Sequence, residues 1–264
     1  MNRPVRYEWV RLTTLTSTWL LAAAAVAVTA LAAWGYAFTV TEFQSEEIAV
    51  TAQEALVAVI NKASFAPLAA GVFGALAMGG DYRHGTIRAT LAVTPVRSRA
   101  VAAKALVAGG FALAVTGCAT AVSWIVASAT LPAELISGVS YGDLIVLHGG
   151  LLLQTVCWTL IGIAITVVFR SQAVGTVSLV AIPYVLEPMV RTGGLFADSP
   201  WLAQAAKYLP FAAGTSMSNI AGDEGAFLAE ASQRMAPGTA VLVFGLFTGA
   251  LFVGAVAQFR RQGM

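Results

Sequence analysis

The chain has 264 residues, of which 58% are hydrophobic and only 11% charged, where a soluble domain carries about 25% charged residues. With a mean hydropathy of +0.78, this composition excludes a water-soluble globule. The formal net charge of +2 gives no reason to expect nucleic acid as a partner; how the charges are distributed along the chain carries more information than their sum.

Residues 2–15, NRPVRYEWVRLTTL, put Val5, Trp9 and Leu12 on one helical stripe, with Arg6, Glu8 and Arg11 largely off it. That is the pattern of a helix lying along a membrane surface. Six apolar runs follow: Trp19–Val40, Ala63–Gly80, Ala105–Leu131, Leu144–Phe169, Ala173–Val190 and Thr239–Phe259. Each is of the order of the 18 to 20 residues that cross about 30 Å of hydrocarbon as a helix. None alternates apolar and polar residues as a barrel strand does. The first run, 22 residues long, exceeds the roughly 7–15 residue core of a cleaved signal and reads as a retained span. The expected fold is therefore all-α, a polytopic membrane protein with six transmembrane helices and a single transmembrane domain over 1–264.

Between the runs, Thr41–Lys62 reads as an amphipathic helix on the outer surface. Residues 191–238 form a long outer segment, apolar enough to pack on the membrane or dip into it. The fifth run is interrupted by Pro183 and Pro188 and holds Glu187, the one ionisable candidate inside a span, expected near the outer headgroups as a structural group or an outer gate. His148 reads as packed, Gln154 and Ser123 as possible pathway residues, and Cys118 and Cys157 as small packing residues without disulfide or metal. Gly245 and Gly249 form a GxxxG, and Gly117 and Ala121 a weaker version, both suited to close helix contact.

Charge placement sets the orientation. With the N-terminus inside, the inner segments hold Arg3, Arg6, Arg11, Arg83, Arg88, Arg97, Arg99, Lys104, Arg170, Arg260 and Arg261, which is 11 of the 15 basic residues. Only Glu8 and Asp81 of the 13 acidic residues share that side. The excess of Lys and Arg marks the cytoplasmic face, so both termini are expected there, and this face should also meet anionic lipid headgroups.

The stretch GGDYRHGTIRATLAVTPVRSR, residues 79–99, lies on that side. Burying its arginines in the bilayer would cost about 2.5–3.5 kcal/mol each, so it is expected in the cytoplasm. Its centre reads as a short helix with Asp81 capping the start, Ile87, Leu91 and Thr94 on one stripe, and Pro95 as the stop. A short amphipathic element fixed between two spans can pass force from a soluble partner to the membrane helices.

The run from Gly79 to Leu106 resembles the cytoplasmic segment between the second and third spans of ABC-2 type transporter permeases. There, (E/D)-(Y/F)-R-x-G-T-(I/L) is followed by a proline and a basic residue. The matching positions are Asp81, Tyr82, Arg83, Gly85, Thr86, Ile87, Pro95 and Arg97, with Arg88 and Leu91 on the same element; the acid is Asp where Glu is commoner. The six-span layout, the interfacial helix and the long outer segment resemble the family too. The resemblance implies a bacterial cytoplasmic-membrane permease that pairs with a second permease copy and with separate ATP-binding subunits docked on this coupling segment. ATP and Mg would then sit on the partner ATPase, with no cofactor bound by this chain. The cargo, exported, would be hydrophobic or amphipathic, a drug, antibiotic or lipid. The chain's own negatives agree: no G-x-x-x-x-G-K-[ST], no HExxH and no EExxxR occur, so neither a phosphate cradle nor a protease centre is legible. The competing expectations are an ion-coupled carrier or channel dependent on Glu187, and a non-transport membrane scaffold.

Overall fold

The computed structural model describes residues 3–42, 51–62, 64–87, 90, 96–196, 205–220 and 235–261. Every element among them is helical. Helix α1 (Arg3–Thr14) precedes α2 (Thr16–Glu42); α3 (Ala52–Leu56) passes into a π-helical turn, Val57–Lys62, ahead of α4 (Ala66–Arg83). Then come α5 (Arg97–Thr130), the short α6 (Ala133–Ser137) and α7 (Tyr141–Phe169). Helix α8 (Gln172–Ala181) continues through a second π-helical turn, Ile182–Leu186, into α9 (Glu187–Phe196); α10 (Pro210–Ser216) and α11 (Pro237–Arg261) complete the order.

Six of these stretches are long and apolar enough to cross a membrane: Thr16–Glu42, Ala52–Arg83, Arg97–Thr130, Tyr141–Phe169, Gln172–Arg191 and Pro237–Arg261. Each overlaps one of the runs expected from the sequence. Local chemistry fixes several ends. Thr51 and Glu54 form a reciprocal capping box at the start of α3, and Ser140 with Asp143 does the same for α7. Such boxes satisfy backbone N–H groups that the first turn leaves without partners. At the other end of α7, Arg170 takes a left-handed conformation, φ 51°, which turns the chain into α8.

Helix α7 is the hub, with 72% of its most apolar window buried, against 17% for Gln172–Arg191 and 22% for α11. Its closest partner is α4. A Cβ on Gly74 would collide with the carbonyl of Thr159, and one on Gly162 with the carbonyl of Gly71, so glycine is what lets the two backbones touch. Around this seam Phe73, Phe111, Trp158, Phe211 and Phe244 form the main apolar core. Outward-facing Leu31, Leu106, Ile125, Leu242 and Leu246 are all well exposed, which suits a surface in hydrocarbon rather than water.

Three expectations need correction. The described part of Thr41–Lys62 does not lie on the surface, since Ala55, Leu56, Val59 and Ile60 are fully buried among α2, α5, α6 and α7. Trp9 is exposed, while Glu8 and Leu12 are buried; α1 presents a face carrying acid and base, not only its apolar stripe. A Cβ on Gly117, Gly245 or Gly249 would meet nothing within 4 Å, so their spacing serves no close helix contact among the described residues. Of the segment 191–238, the described parts supply α10 packed against α11 through Phe211 and Phe244.

Candidate functional site

One end of the bundle, the basal end below, gathers α1, the α4–α5 connection and the last turns of α11. Here lies a four-charge cluster, with Lys104 as its pivot. The Lys104 Nζ is 2.8 Å from Glu8 Oε1, 2.8 Å from Asp81 Oδ2 and 3.1 Å from the Ala77 carbonyl oxygen. An ammonium has three donors, and all three are used. Arg11 contacts Asp81 Oδ1 at 2.5 Å through Nη1 and Glu8 Oε2 at 3.4 Å through Nε, and donates from Nη2 to the same Ala77 carbonyl.

Asp81 receives two further bonds, from the Thr86 hydroxyl at 3.3 Å and the Thr90 hydroxyl at 3.4 Å. With Arg11 and Lys104 these fill the roughly four acceptor positions of a carboxylate. Two acids and two bases leave the cluster neutral, and Asp81, Lys104 and Glu8 are 1%, 2% and 5% exposed. Ala77 and Asp81 sit near the C-terminal end of α4, where the helix dipole favours cations. The arrangement locks three helices in one register: α1 by Glu8 and Arg11, α4 by Asp81, α5 by Lys104.

The expected docking residues divide in two. Arg83, Gly85 and Thr86 are exposed, as are His84, Val96 and Arg99. Asp81 points inward and is no outward contact; it sits in the last turn of α4 and gathers the Thr86 and Thr90 hydroxyls. Tyr82 and Ile87 pack partly against Met78, Val101 and Phe259. Arg97 does not protrude freely, for its Nη1 donates to the Phe259 carbonyl at 2.9 Å and its guanidinium lies 5.8 Å from that residue's ring. The Thr90 N–H bonds to the Thr86 carbonyl at 3.0 Å, one helical turn. Gly85 has φ 65°, a region open to glycine and costly for other residues. Arg88, Leu91 and Pro95 lie outside the described residues.

At the far end, Glu187 is only 6% exposed. Its two carboxylate oxygens accept the backbone N–H groups of Phe211 at 3.0 Å and Ala212 at 2.9 Å, tying the fifth span to α10. His148 Nε2 accepts the Trp124 indole N–H at 2.8 Å, so it is packed as expected. Ser123 is fully buried with its hydroxyl unpartnered. Cys118 is exposed, Cys157 is buried, and both are free thiols. Gln154 lines a cavity of about 450 Å³ together with Glu187. Among the described residues no three of His, Cys, Asp and Glu gather as a metal site would require.

The basal cluster escaped the sequence because Arg11 and Asp81 are 70 residues apart and Glu8 and Lys104 are 96 apart. The one signal available was that Glu8 and Asp81 are the sole acids on the basic side. Fold and site together define a multi-pass α-helical membrane protein. Scans against protein-family models, curated proteins and solved structures find no match for the chain.

Proposed function

We propose that this chain is the membrane-spanning permease subunit of an ATP-binding-cassette exporter, driven by a separate ATP-binding subunit that docks on the α4–α5 connection. The observation that carries this reading is how that connection is anchored. Asp81 ties its start to α1 and α5, Lys104 ties the helix that follows it to α1 and α4, and Arg97 ties it to the end of α11. Force applied at Arg83 or Arg99 is thereby delivered to four helices at once. A loop that merely joins two spans needs no such anchorage.

The basal end is the cytoplasmic one in this reading, by its excess of Arg and Lys. The spans Gln172–Arg191 and Pro237–Arg261, each little buried within the chain, face lipid or a second permease copy. ATP and Mg belong to the partner subunit, and the cargo is hydrophobic or amphipathic. The test is whether an ATP-binding-cassette ATPase is encoded beside this chain and co-purifies with it. Arg83→Glu with Arg99→Glu is expected to abolish the association; undiminished association counts against docking here. Transport lost in Glu187→Gln yet indifferent to ATP depletion would favour an ion-coupled carrier instead.

A further inference from the structure

The span Gln172–Arg191 has two unlike halves. Up to Ala181 it is packed hard against the bundle: a Cβ on Gly175 would strike the Thr166 hydroxyl on α7, and the Leu179 methyl groups come within 3.1–3.2 Å of where a Cβ on Gly71 of α4 would stand. Leu179 is fully buried in the main core. Beyond Ile182 the helix is exposed. Tyr184, Val185, Leu186, Met189 and Val190 show 49–66% of their surface, while Glu187 in their midst shows 6%. Between the halves lies the π-helical turn Ile182–Leu186. Pro183 within it and Pro188 just beyond it lack the N–H that would close a helical hydrogen bond, which weakens the ladder on both sides of Glu187. Helices bend sharply at prolines and π turns, and a few residues at such points can absorb the dihedral change of a hinge.

What Glu187 holds is the start of α10. There the N-cap Leu209 makes no side-chain hydrogen bond, and Pro210, the first helical residue, has no N–H to give. The next two N–H groups, of Phe211 and Ala212, donate to the two Glu187 oxygens at 3.0 and 2.9 Å. A carboxylate from another helix thus does the work of a cap. Helix α10 has other holds on the bundle, because the Phe211 ring lies 5.0 Å from that of Trp158 on α7 and 5.8 Å from that of Phe244 on α11. It stays with the bundle if the carboxylate lets go, and the exposed half-span is then the part that moves. The two elements meet over the cavity of about 450 Å³, with Pro183, Tyr184 and Pro188 lining it from one side and Phe211 and Ala212 from the other.

We propose that residues 182–191 are a hinged flap over this cavity, pivoting at the π-helical turn and latched shut by Glu187 on the N-terminal turn of α10. The flap does not depend on the docking proposed above, and its test contains neither ATPase nor ATP. Met189 lies seven residues past Ile182, about 10 Å along a helix, so a bend of about 20–30° at the turn carries it about 3–5 Å. The full chain, in a Cys118→Ser background and in phosphatidylcholine nanodiscs, is spin-labelled at Met189→Cys and Leu242→Cys, two exposed positions, and the distance between them is measured by pulsed electron resonance. Glu187→Ala is expected to add a population displaced by that amount. The pair Val177→Cys and Leu242→Cys, whose first member is exposed on the near side of the hinge, should keep its distance.

A second readout reports the cavity itself. Ser64 lines it with its hydroxyl buried, so the thiol of Ser64→Cys should react slowly with a soluble methanethiosulfonate while the flap is shut. When opening is faster than the chemistry, the rate follows the open population. Losing even one hydrogen bond to a charged group should raise that rate about ten-fold or more, measured against the same background without Ser64→Cys. Glu187→Gln, which keeps one acceptor oxygen, should fall between wild type and Glu187→Ala, and it carries the same tests should the alanine variant fail to give a single size-exclusion peak. An unchanged Met189 distance, an equal displacement at Val177, or an unchanged Ser64→Cys rate would overturn the assignment and leave Glu187 as a fixed brace for α10.

Discussion

Replacing Lys104 by Met keeps an unbranched apolar side chain one atom shorter and removes its charge. What remains is Glu8 and Asp81, both nearly sealed from solvent, sharing the single cation of Arg11. Taking one partner out of a buried ionic group costs about 3–5 kcal/mol, because the cost is that of the charge left behind. At roughly 2–4 °C per kcal/mol for a chain of this size, the thermal midpoint of the detergent-purified protein should fall by about 10 °C. Adding Glu8→Gln restores the balance to one acid, Asp81, against one base, Arg11. The double variant should therefore recover part of the loss, with a coupling of about 1–3 kcal/mol. Midpoints for the wild type, both single variants and the double variant complete the cycle. A Lys104→Met midpoint within about 2 °C of the wild type, or strictly additive losses, would refute the idea that the four charges act as one unit.

Gly162→Ala should lower the midpoint by at least the equivalent of about 1–3 kcal/mol, since its Cβ strikes the Gly71 carbonyl across a rigid seam, while Gly249→Ala, facing open space, leaves it unchanged. Glu187→Gln retains one acceptor oxygen for two backbone N–H groups, a loss of about 1–2 kcal/mol; hydrogen exchange at Phe211 and Ala212 should quicken, and unaltered protection would contradict the tie to α10. Gly85→Ala forces a side chain into a left-handed turn at about 1–2 kcal/mol, read as faster exchange at the amides of His84 to Thr86.

The six spans were legible because each is an apolar run long enough to cross a bilayer, a property of contiguous sequence that needs no partner to interpret. The division of Asp81 to Arg99 into outward and inward residues was not. On sequence, a charged residue at a helix end belongs in water, because transfer of a lone charge is prohibitive. Glu8, Arg11, Asp81 and Lys104 evade that rule by neutralising one another, and only the folded chain brings them together. Trp9 misled for the complementary reason: beside a membrane, an aromatic side chain has an apolar environment on the outside too, so its stripe does not identify the protein-facing side. The stretch Val57–Lys62 looked surface-bound from the charges around it, yet its own apolar residues fill a gap between α2 and α7. Glu187 was expected near the outer headgroups; the backbone groups it holds, more than twenty residues later in the chain, had no signature in the sequence.

The clasp around Lys104 also imposes an order on biosynthesis. Glu8 emerges from the ribosome 96 residues ahead of the ammonium that neutralises it, an interval of roughly 5–20 s at about 5–20 residues per second. Through that delay Glu8 has Arg11 beside it, but the amino-terminal helix lacks the contact that ties it to α5. Its seating is a late step that reports the arrival of the third span, and a nascent chain truncated just before Lys104 would leave that helix open to protease.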